Sequence, residues 1–467
     1  MKQRASLFAA IGLLAFLQAC SGGHSSAIPD VAPPASTTDT LPAEQNTDTV
    51  APMSLTLGTT TYPTNAFMPS KTGKIQSFQI FDETSNGTIS ATAAATDGYR
   101  YSAVWGARPG LGTTWRASNS YLRSSYYFLM DTDLSTGAWG AIGHSLTWWQ
   151  TYHPDWILYK CSTSTNAPTK LPAYDSGLPN VPLDIHNPAV VQYQIAQMAG
   201  PYAARNGYTA LAADEVTYWI PATGGSGYYG CGIYSKGVFV RRYSSSTDPA
   251  WSTDVVNWAK AAHSILTTNT TLSPYHLKLI VNHPGGTMNT NEATLAANVD
   301  ADMDETGFTQ YGHYLTGANS TIREANWMKF MQAHGAAVLI NQDWGSLTVG
   351  AAQRDYSAAT YLLGNENAAA VFVTPHTGYG VETYYHPEYR AANLGSPCGE
   401  YYAGYGTLLY RKFAYGLVVV NAGGGVAYKA ALPTGHTYTD LEGRSVYNPL
   451  TVNANDGYVL KTTNGCS

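Results

Sequence analysis

The strongest constraint on the fold is a repeated unit. Eight short apolar runs, each closing on acids, amides or histidine, are separated by stretches of helical spacing. They are "KIQSFQIFDE", "YRYSAVWG", "SSYYFLMDTD", "YTALAADE", "LKLIVNHP", "DADMDETGF", "AAVLINQDWG" and "AAAVFVTPH". Unbroken apolar strands need cover on both faces, and intervening helices supply it by pairing the strands in parallel. Eight such units predict an α/β fold, a closed (β/α)8 TIM barrel. The rival is an open doubly wound sheet, but no G-x-G-x-x-G turn follows an early strand. The connecting segment "NPAVVQYQIAQMAGPYAARNG" has helix punctuation, with Pro188 in the first turn and Gly207 at the stop.

The repeat sets the boundaries. After about Tyr401, alternating strands with Gly and Asn turns and no helix predict a small antiparallel β-sandwich over 401–467, following a barrel over 66–400. Residues 21–65 are rich in Ser, Thr, Ala, Pro and Asp without apolar period, as in a flexible linker. Residues 1–20 read as a secretory signal: basic "MKQR", apolar "ASLFAAIGLLAF", then "LQAC". That ending resembles a bacterial lipobox, which implies lipidation (palmitate included) at Cys20 and a lipoprotein anchored in the cell envelope. Ser21 implies the outer membrane if the host is Gram-negative, with the body facing periplasm or exterior. An exported chain meets an oxidising compartment, so Cys161, Cys231, Cys398 and Cys466 are expected to form disulfides, with three pairings open.

Composition narrows the function. A net charge of −6 carries no basic footprint, so nucleic acid is not an expected partner. The 35 Tyr and 11 Trp suit flat hydroxylated ligands, whose C–H faces stack on rings, although most single rings serve a core. No G-x-S-x-G, H-E-x-x-H or C-x-x-C motif occurs, so serine-hydrolase, zinc and thiol chemistry have no anchor and no metal or cofactor is expected.

In such a barrel, side chains at the C-terminal strand ends converge. Those ends carry Asp82, Glu83, Asp131, Asp133, Asp214, Glu215, Asn282, His283, Asp302, Asp304, Glu305, Gln342, Asp343, Trp344, Thr374 and His376. Glycosidic cleavage needs such a set, one carboxylic acid to protonate the leaving oxygen and one carboxylate to attack or activate water. Neighbours on a strand face opposite sides, so only one of Asp214 and Glu215, and one of Asp304 and Glu305, should reach the axis unless a loop starts there. Asp82, Asp131, Asn282, Gln342, Trp344 and Trp219 are expected to shape a carbohydrate site, with Trp105, Trp148 and Trp149 as further platforms. The glycine-rich 224–232 reads as an active-site loop held by Cys231.

"HPDWILYK", "LDIHNPAVVQYQ", "GYTALAADEV", "DADMDETGF" and "LLYRKFAYGLVVVNAGGG" together resemble glycoside hydrolases of the (β/α)8 class. These are relatives of the polygalactosaminidase-like and α-galactosidase-like barrels, which carry a C-terminal β domain. The resemblance spans roughly 74–462 and implies a catalytic pair after strands four and six. Asp214 would be nucleophile or transition-state stabiliser and Glu305 acid/base, with Glu215 and Asp304 as alternates. The sequence departs from the pattern at Thr209-Ala210, where Asp-Gly often precedes strand four, which leaves subsite detail open. The expected activity is O-glycosyl hydrolysis of a poly- or oligosaccharide by a monomeric enzyme, with retention of configuration. The alternative is a surface lipoprotein that binds glycans on a degenerate barrel.

Overall fold

The computed structural model describes residues 62–466, except 64, 66, 69–73, 83–89, 135–142, 162–167, 173–179, 221–230, 316–317, 376–378, 381–384 and 424. The expected signal, Cys20, nearly all of the expected linker, Glu83, His376 and most of the glycine-rich segment therefore lie outside the described residues.

Eight parallel strands form one sheet: β1 Phe78–Ile80, β2 Ala103–Trp105, β3 Arg123–Leu129, β4 Ala210–Asp214, β5 Lys278–Asn282, β6 Ala301–Asp304, β7 Ala337–Asp343 and β8 Ala369–Thr374. They are hydrogen-bonded in chain order. A parallel bridge from Ser77 to Val371, with the Val371 N–H on the Gln76 carbonyl at 2.9 Å, returns β8 to β1 and closes the barrel.

Period-two alternation sorts each strand between lumen and helix layer. Phe78, Ile80, Trp105, Tyr127 and Leu129 fill the lumen from β1–β3, against Ala210, Ala212, Ala301, Ala337 and Ala370 from the other side. Ile280, Met303, Leu339 and Phe372 share that side, so the lumen-facing alanines of the run "ALAA" are the small members of a mixed wall. Leu211, Ala213, Val281, Val338 and Ile340 face the helices instead. Phe67 and Met68 join the lumen cluster, held by Asn65, whose amide donates to the Asp300 and Gly335 carbonyls before β6 and β7.

The covering helices include α1 Ala91–Arg100 and α2 Leu111–Ser118. The helix read from "NPAVVQYQ" runs Pro188–Tyr193, continues through a π-helical turn Gln194–Ala199 and ends with Gly200–Arg205. Further on lie α3 Pro249–Thr268, α4 Thr290–Ala296, α5 Ala318–Ala333 and α6 Ala351–Gly364. Two excursions, after β3 and after β4, build a separate antiparallel sheet from Tyr159–Cys161, Pro168–Pro172, Gly232–Ser235 and Val238–Arg241. The Cys161–Cys231 disulfide joins the two excursions. Cys398–Cys466 ties the end of the chain to the start of the β domain.

That domain is a six-stranded sheet facing a two-stranded pair, Tyr428–Ala430 with Leu450–Val452. Leu417, Val419 and Leu460 face the pair; Val418, Val420 and Val459 face the barrel. Arg411, fully buried, fixes the junction. Its guanidinium donates to the carbonyls of Leu362, Leu363 and Asn365 at 3.0, 2.9 and 2.9 Å and pairs with Glu366. It thus satisfies the orphan carbonyls at the C-terminus of α6.

Candidate active site

At the C-terminal strand ends five carboxyls gather: Asp131 beyond β3, Asp214 and Glu215 at β4, Glu305 after β6 and Asp343 at the end of β7. Asp214 is buried and is the most fully held. Tyr127 O–H donates to its Oδ2 at 2.6 Å, and Oδ1 accepts the Asn282 amide at 2.8 Å and the Glu215 N–H at 2.9 Å. The Asn282 side chain uses its second hydrogen on Glu305 Oε2 at 3.0 Å. One nitrogen therefore bridges both acids, and the two bonds of 2.8 and 3.0 Å limit the separation of those oxygens to their sum, 5.8 Å.

The far side of Glu305 is also fixed. Its carbonyl accepts Asn341 Nδ2 at 2.8 Å, and its Oε1 lies 3.1 Å from the Tyr379 hydroxyl. Phe81 touches both Tyr127 and Tyr379 edge-on, with centroids 5.9 and 6.3 Å away. One tyrosine thus holds each carboxyl, and one phenylalanine props both.

Asp214 and Glu215 both reach the cluster. Strand alternation forbids this for extended residues, but Glu215 has φ +59°, the left-handed region, so the strand ends in a kink that redirects its side chain. A non-glycine residue held there costs roughly 1–3 kcal/mol, which the surroundings must offset. At Asp304-Glu305 the expected division holds. Asp304 lies outside the lumen, its Oδ1 accepting the Thr306 and Gly307 N–H groups at 2.9 and 3.1 Å and its Oδ2 that of Gly285 at 3.2 Å.

Electrostatics separates the roles. Burial raises the Asp214 carboxyl, and donation from Tyr127, Asn282 and the Glu215 N–H pulls it back. Glu305 is pushed up to about 8 by burial and then by the Asp214 charge, with Asn282 and Tyr379 opposing. Asp131 is pushed up to about 7, chiefly by burial. Glu215 is raised by burial and by the charges of Asp214, Asp131 and Glu305. With three donors on Asp214, the proton-poor member of the bridged pair is Asp214 and the proton-holding member Glu305.

The other residues expected at the site are scattered. Asp82 is buried at the β1 end and accepts the Arg108 N–H at 2.6 Å, anchoring the loop after β2. Gln342 faces the helix layer, where it accepts the Phe308 N–H at 3.2 Å and donates to Thr360 at 3.2 Å. Trp344 is also buried outward, its indole donating to Ser357 at 3.1 Å. The structure brings neither to the lumen, because both stand one residue out of register with Asn341 and Asp343. Trp105 is sealed in the lumen wall and Trp149 beneath the first excursion. Trp219, just beyond the Glu215 kink, is 37% exposed. Trp148 is half-buried and stacks on His144, their centroids 3.7 Å apart. Tyr127, Tyr379 and Asn341 were missed by sequence reasoning. Tyr127 and Asn341 carried a signal, since they share strand parity with Asp131 and Asp343; Tyr379, beyond β8, carried none.

Among the described residues, no three His, Cys, Asp or Glu side chains converge to hold a metal. Fold and site together define a (β/α)8 barrel with a bridged carboxyl pair at the C-terminal ends of its strands.

No family model matches the chain, and no curated protein matches it in sequence. Solved structures resemble it distantly. A protein from Thermus thermophilus is 13% identical, covers 86% of this chain and 94% of its own, and has a TM-score of 0.43. The γ-CGTase of alkalophilic Bacillus clarkii is 9% identical, with coverages of 86% and 71% and a TM-score of 0.45. A debranching enzyme from Nostoc punctiforme is 11% identical, with coverages of 86% and 100% and a TM-score of 0.42. Likeness at this level concerns fold at most, so the chemistry must be read from this chain's own residues.

Proposed function

We propose that the protein is a glycoside hydrolase that cleaves an O-glycosidic bond by double displacement, with retention. The observation that carries the reading is the single Asn282 amide bonded to both Asp214 and Glu305, which limits their facing oxygens to 5.8 Å. Double displacement works with carboxyls about 5–5.5 Å apart, and inversion needs about 6.5–9.5 Å to admit a water. In the first step Glu305 gives its proton to the leaving oxygen as Asp214 attacks the anomeric carbon and the glycosidic bond breaks. In the second, Glu305 takes a proton from water, whose oxygen displaces Asp214 from the sugar. A degenerate barrel that only binds glycans has no need of such a pair, and the same observation weighs against it.

Screening the purified protein on bacterial and plant polysaccharides with reducing-end detection tests the activity. Asp214→Asn and Glu305→Gln should abolish it without loss of fold; full activity in both would sink the assignment. Proton NMR of the first-formed anomer distinguishes retention from inversion. The proposal extends to place: a lipid-anchored enzyme of the bacterial envelope, modified at Cys20. Detergent phase partitioning should move Cys20→Ser from the detergent to the aqueous phase, and unchanged partitioning would remove the anchor.

A further inference from the structure

The hydroxyl of Tyr379 stands between two carboxyl groups, those of Glu305 and Asp343, and has one proton to give. Asn341 fixes the count. The Glu305 carbonyl can only accept, so the side chain facing it at 2.8 Å must be the Asn341 nitrogen. Its second hydrogen then points at the Tyr379 oxygen, 3.0 Å away. The phenol thus accepts from Asn341, and among the described residues its own O–H has Glu305 Oε1 at 3.1 Å and Asp343 Oδ2 at 3.4 Å within reach. Tyr379 and Asp343 are both buried, so water does not readily take either place. The choice needs only rotation about the phenolic C–O bond.

We propose that Tyr379 is a positioning residue whose O–H is shared between Asp343 and Glu305 and turns to Glu305 as that carboxyl gives up its proton. The inference rests on the acid/base reading of Glu305. While Glu305 is protonated its carboxyl is a weak acceptor, and Asp343 Oδ2 is the other oxygen within reach of the Tyr379 O–H. When the Glu305 O–H bond breaks, that proton goes to the glycosidic oxygen, which also keeps the electron pair of the breaking C–O bond. Glu305 Oε1 is then an anion in reach of a donor, and Tyr379 turns to it without losing its proton. The carboxyls that face Glu305 are Asp214 and Glu215 from β4 and Asp343 from β7, with Asp131 acting on Glu215 from beyond β3.

The test reads the Glu305 proton directly and needs no substrate. The carboxyl C=O band of Glu305 is followed by infrared titration of 13C-glutamate-labelled full-length protein, and the band is assigned by its loss in Glu305→Gln. Tyr379→Phe keeps the ring that Phe81 touches and removes only the hydroxyl. Its Glu305 midpoint should rise by about one pH unit or more. Replacement of Tyr379 by 3-fluorotyrosine, a stronger donor of nearly the same size, should lower the midpoint below wild type. A purely structural tyrosine would not order three midpoints by donor strength. Equal midpoints in all three proteins, or a lower one in Tyr379→Phe, overturn the proposal. If Tyr379→Phe does not fold, the fluorotyrosine comparison alone decides, with an unmoved midpoint against the proposal. Loss of the hydrolase reading would show instead as activity surviving in Asp214→Asn and Glu305→Gln, whatever the titration gives.

Discussion

Two acid clusters lie back to back across strand β6. The inner one joins Glu305 to Asp214, Glu215 and Asp131 at the mouth of the lumen. The outer one holds Asp302, Asp304 and Glu324 under helix α5, next to His283 and Glu292, whose side chains pair at 3.1 Å. Residue types match, and Asp304 and Glu305 are even consecutive. Surroundings differ: Glu305, Glu215 and Asn282 remain partly exposed, whereas Asp302 and Glu292 have no solvent access. Asp304 is held by the Thr306, Gly307 and Gly285 N–H groups and the Thr306 hydroxyl, as a loop anchor would be. Asp214 and Glu305 instead share the Asn282 amide, and each takes one tyrosine hydroxyl, Tyr127 on Asp214 and Tyr379 on Glu305. A carboxyl becomes a reagent when it is held yet reachable, and acidity at a strand end does not provide that.

The contrast is open to attack, most strongly at its centre. Glu305→Gln should lower turnover by about 10²–10⁴, the usual contribution of a positioned acid, with the fold intact. Its neighbour should behave oppositely. Asp304→Asn should cost about 1–3 kcal/mol in denaturant unfolding, through donors left unmatched, and spare the activity per folded molecule. Gly285→Ala attacks the same outer cluster sterically, since a Cβ there would lie 2.5 Å from Glu324 and 2.6 Å from Asp304. Overpacking of this kind typically costs about 1–3 kcal/mol, again without a change in KM.

The pH response sharpens the comparison further. Asp131 and Glu305 sit at about 7 and about 8 in the folded chain, raised chiefly by burial, against about 4 in an unfolded one. Between those limits the folded state binds more protons than the unfolded, so stability falls as pH rises from about 4 through about 8. Thermal midpoints measured across that window should decline, and Asp131→Asn should flatten the decline. Turnover should fall above pH 8 as Glu305 loses the proton it must donate. The smallest effects concern the tryptophans. Trp219→Ala should change stability by less than about 0.5 kcal/mol, as exposed positions do, and any change should fall on KM. Trp344→Phe should lower the thermal midpoint and leave KM unmoved.

Much of the architecture is legible in the chain. Eight apolar runs with helices between them called for a parallel sheet covered on both faces, and the count of eight, with no Gly-rich turn after an early strand, favoured the closed barrel over an open doubly wound sheet. The change of period after Tyr401 required a separate antiparallel domain. The acids at the β4 and β6 ends were visible as candidates because charge is rare in this sequence and concentrated there. Gln342 and Trp344 show where that reading stopped. They look equivalent to Asn341 and Asp343 in composition, but a one-residue difference in parity turns them into the helix layer.

By itself, then, the sequence determined the barrel, the β domain and the strand ends at which chemistry can occur, since periodicity and burial are local properties of the chain. Tertiary structure decided which acids meet. The left-handed turn at Glu215 brought both β4 acids inward, Asn282 linked partners from β4 and β6, and Tyr127 and Tyr379 arrived from β3 and from beyond β8. These contacts depend on barrel closure, which sets distant residues side by side at ångström precision, and no pattern along a single strand encodes it.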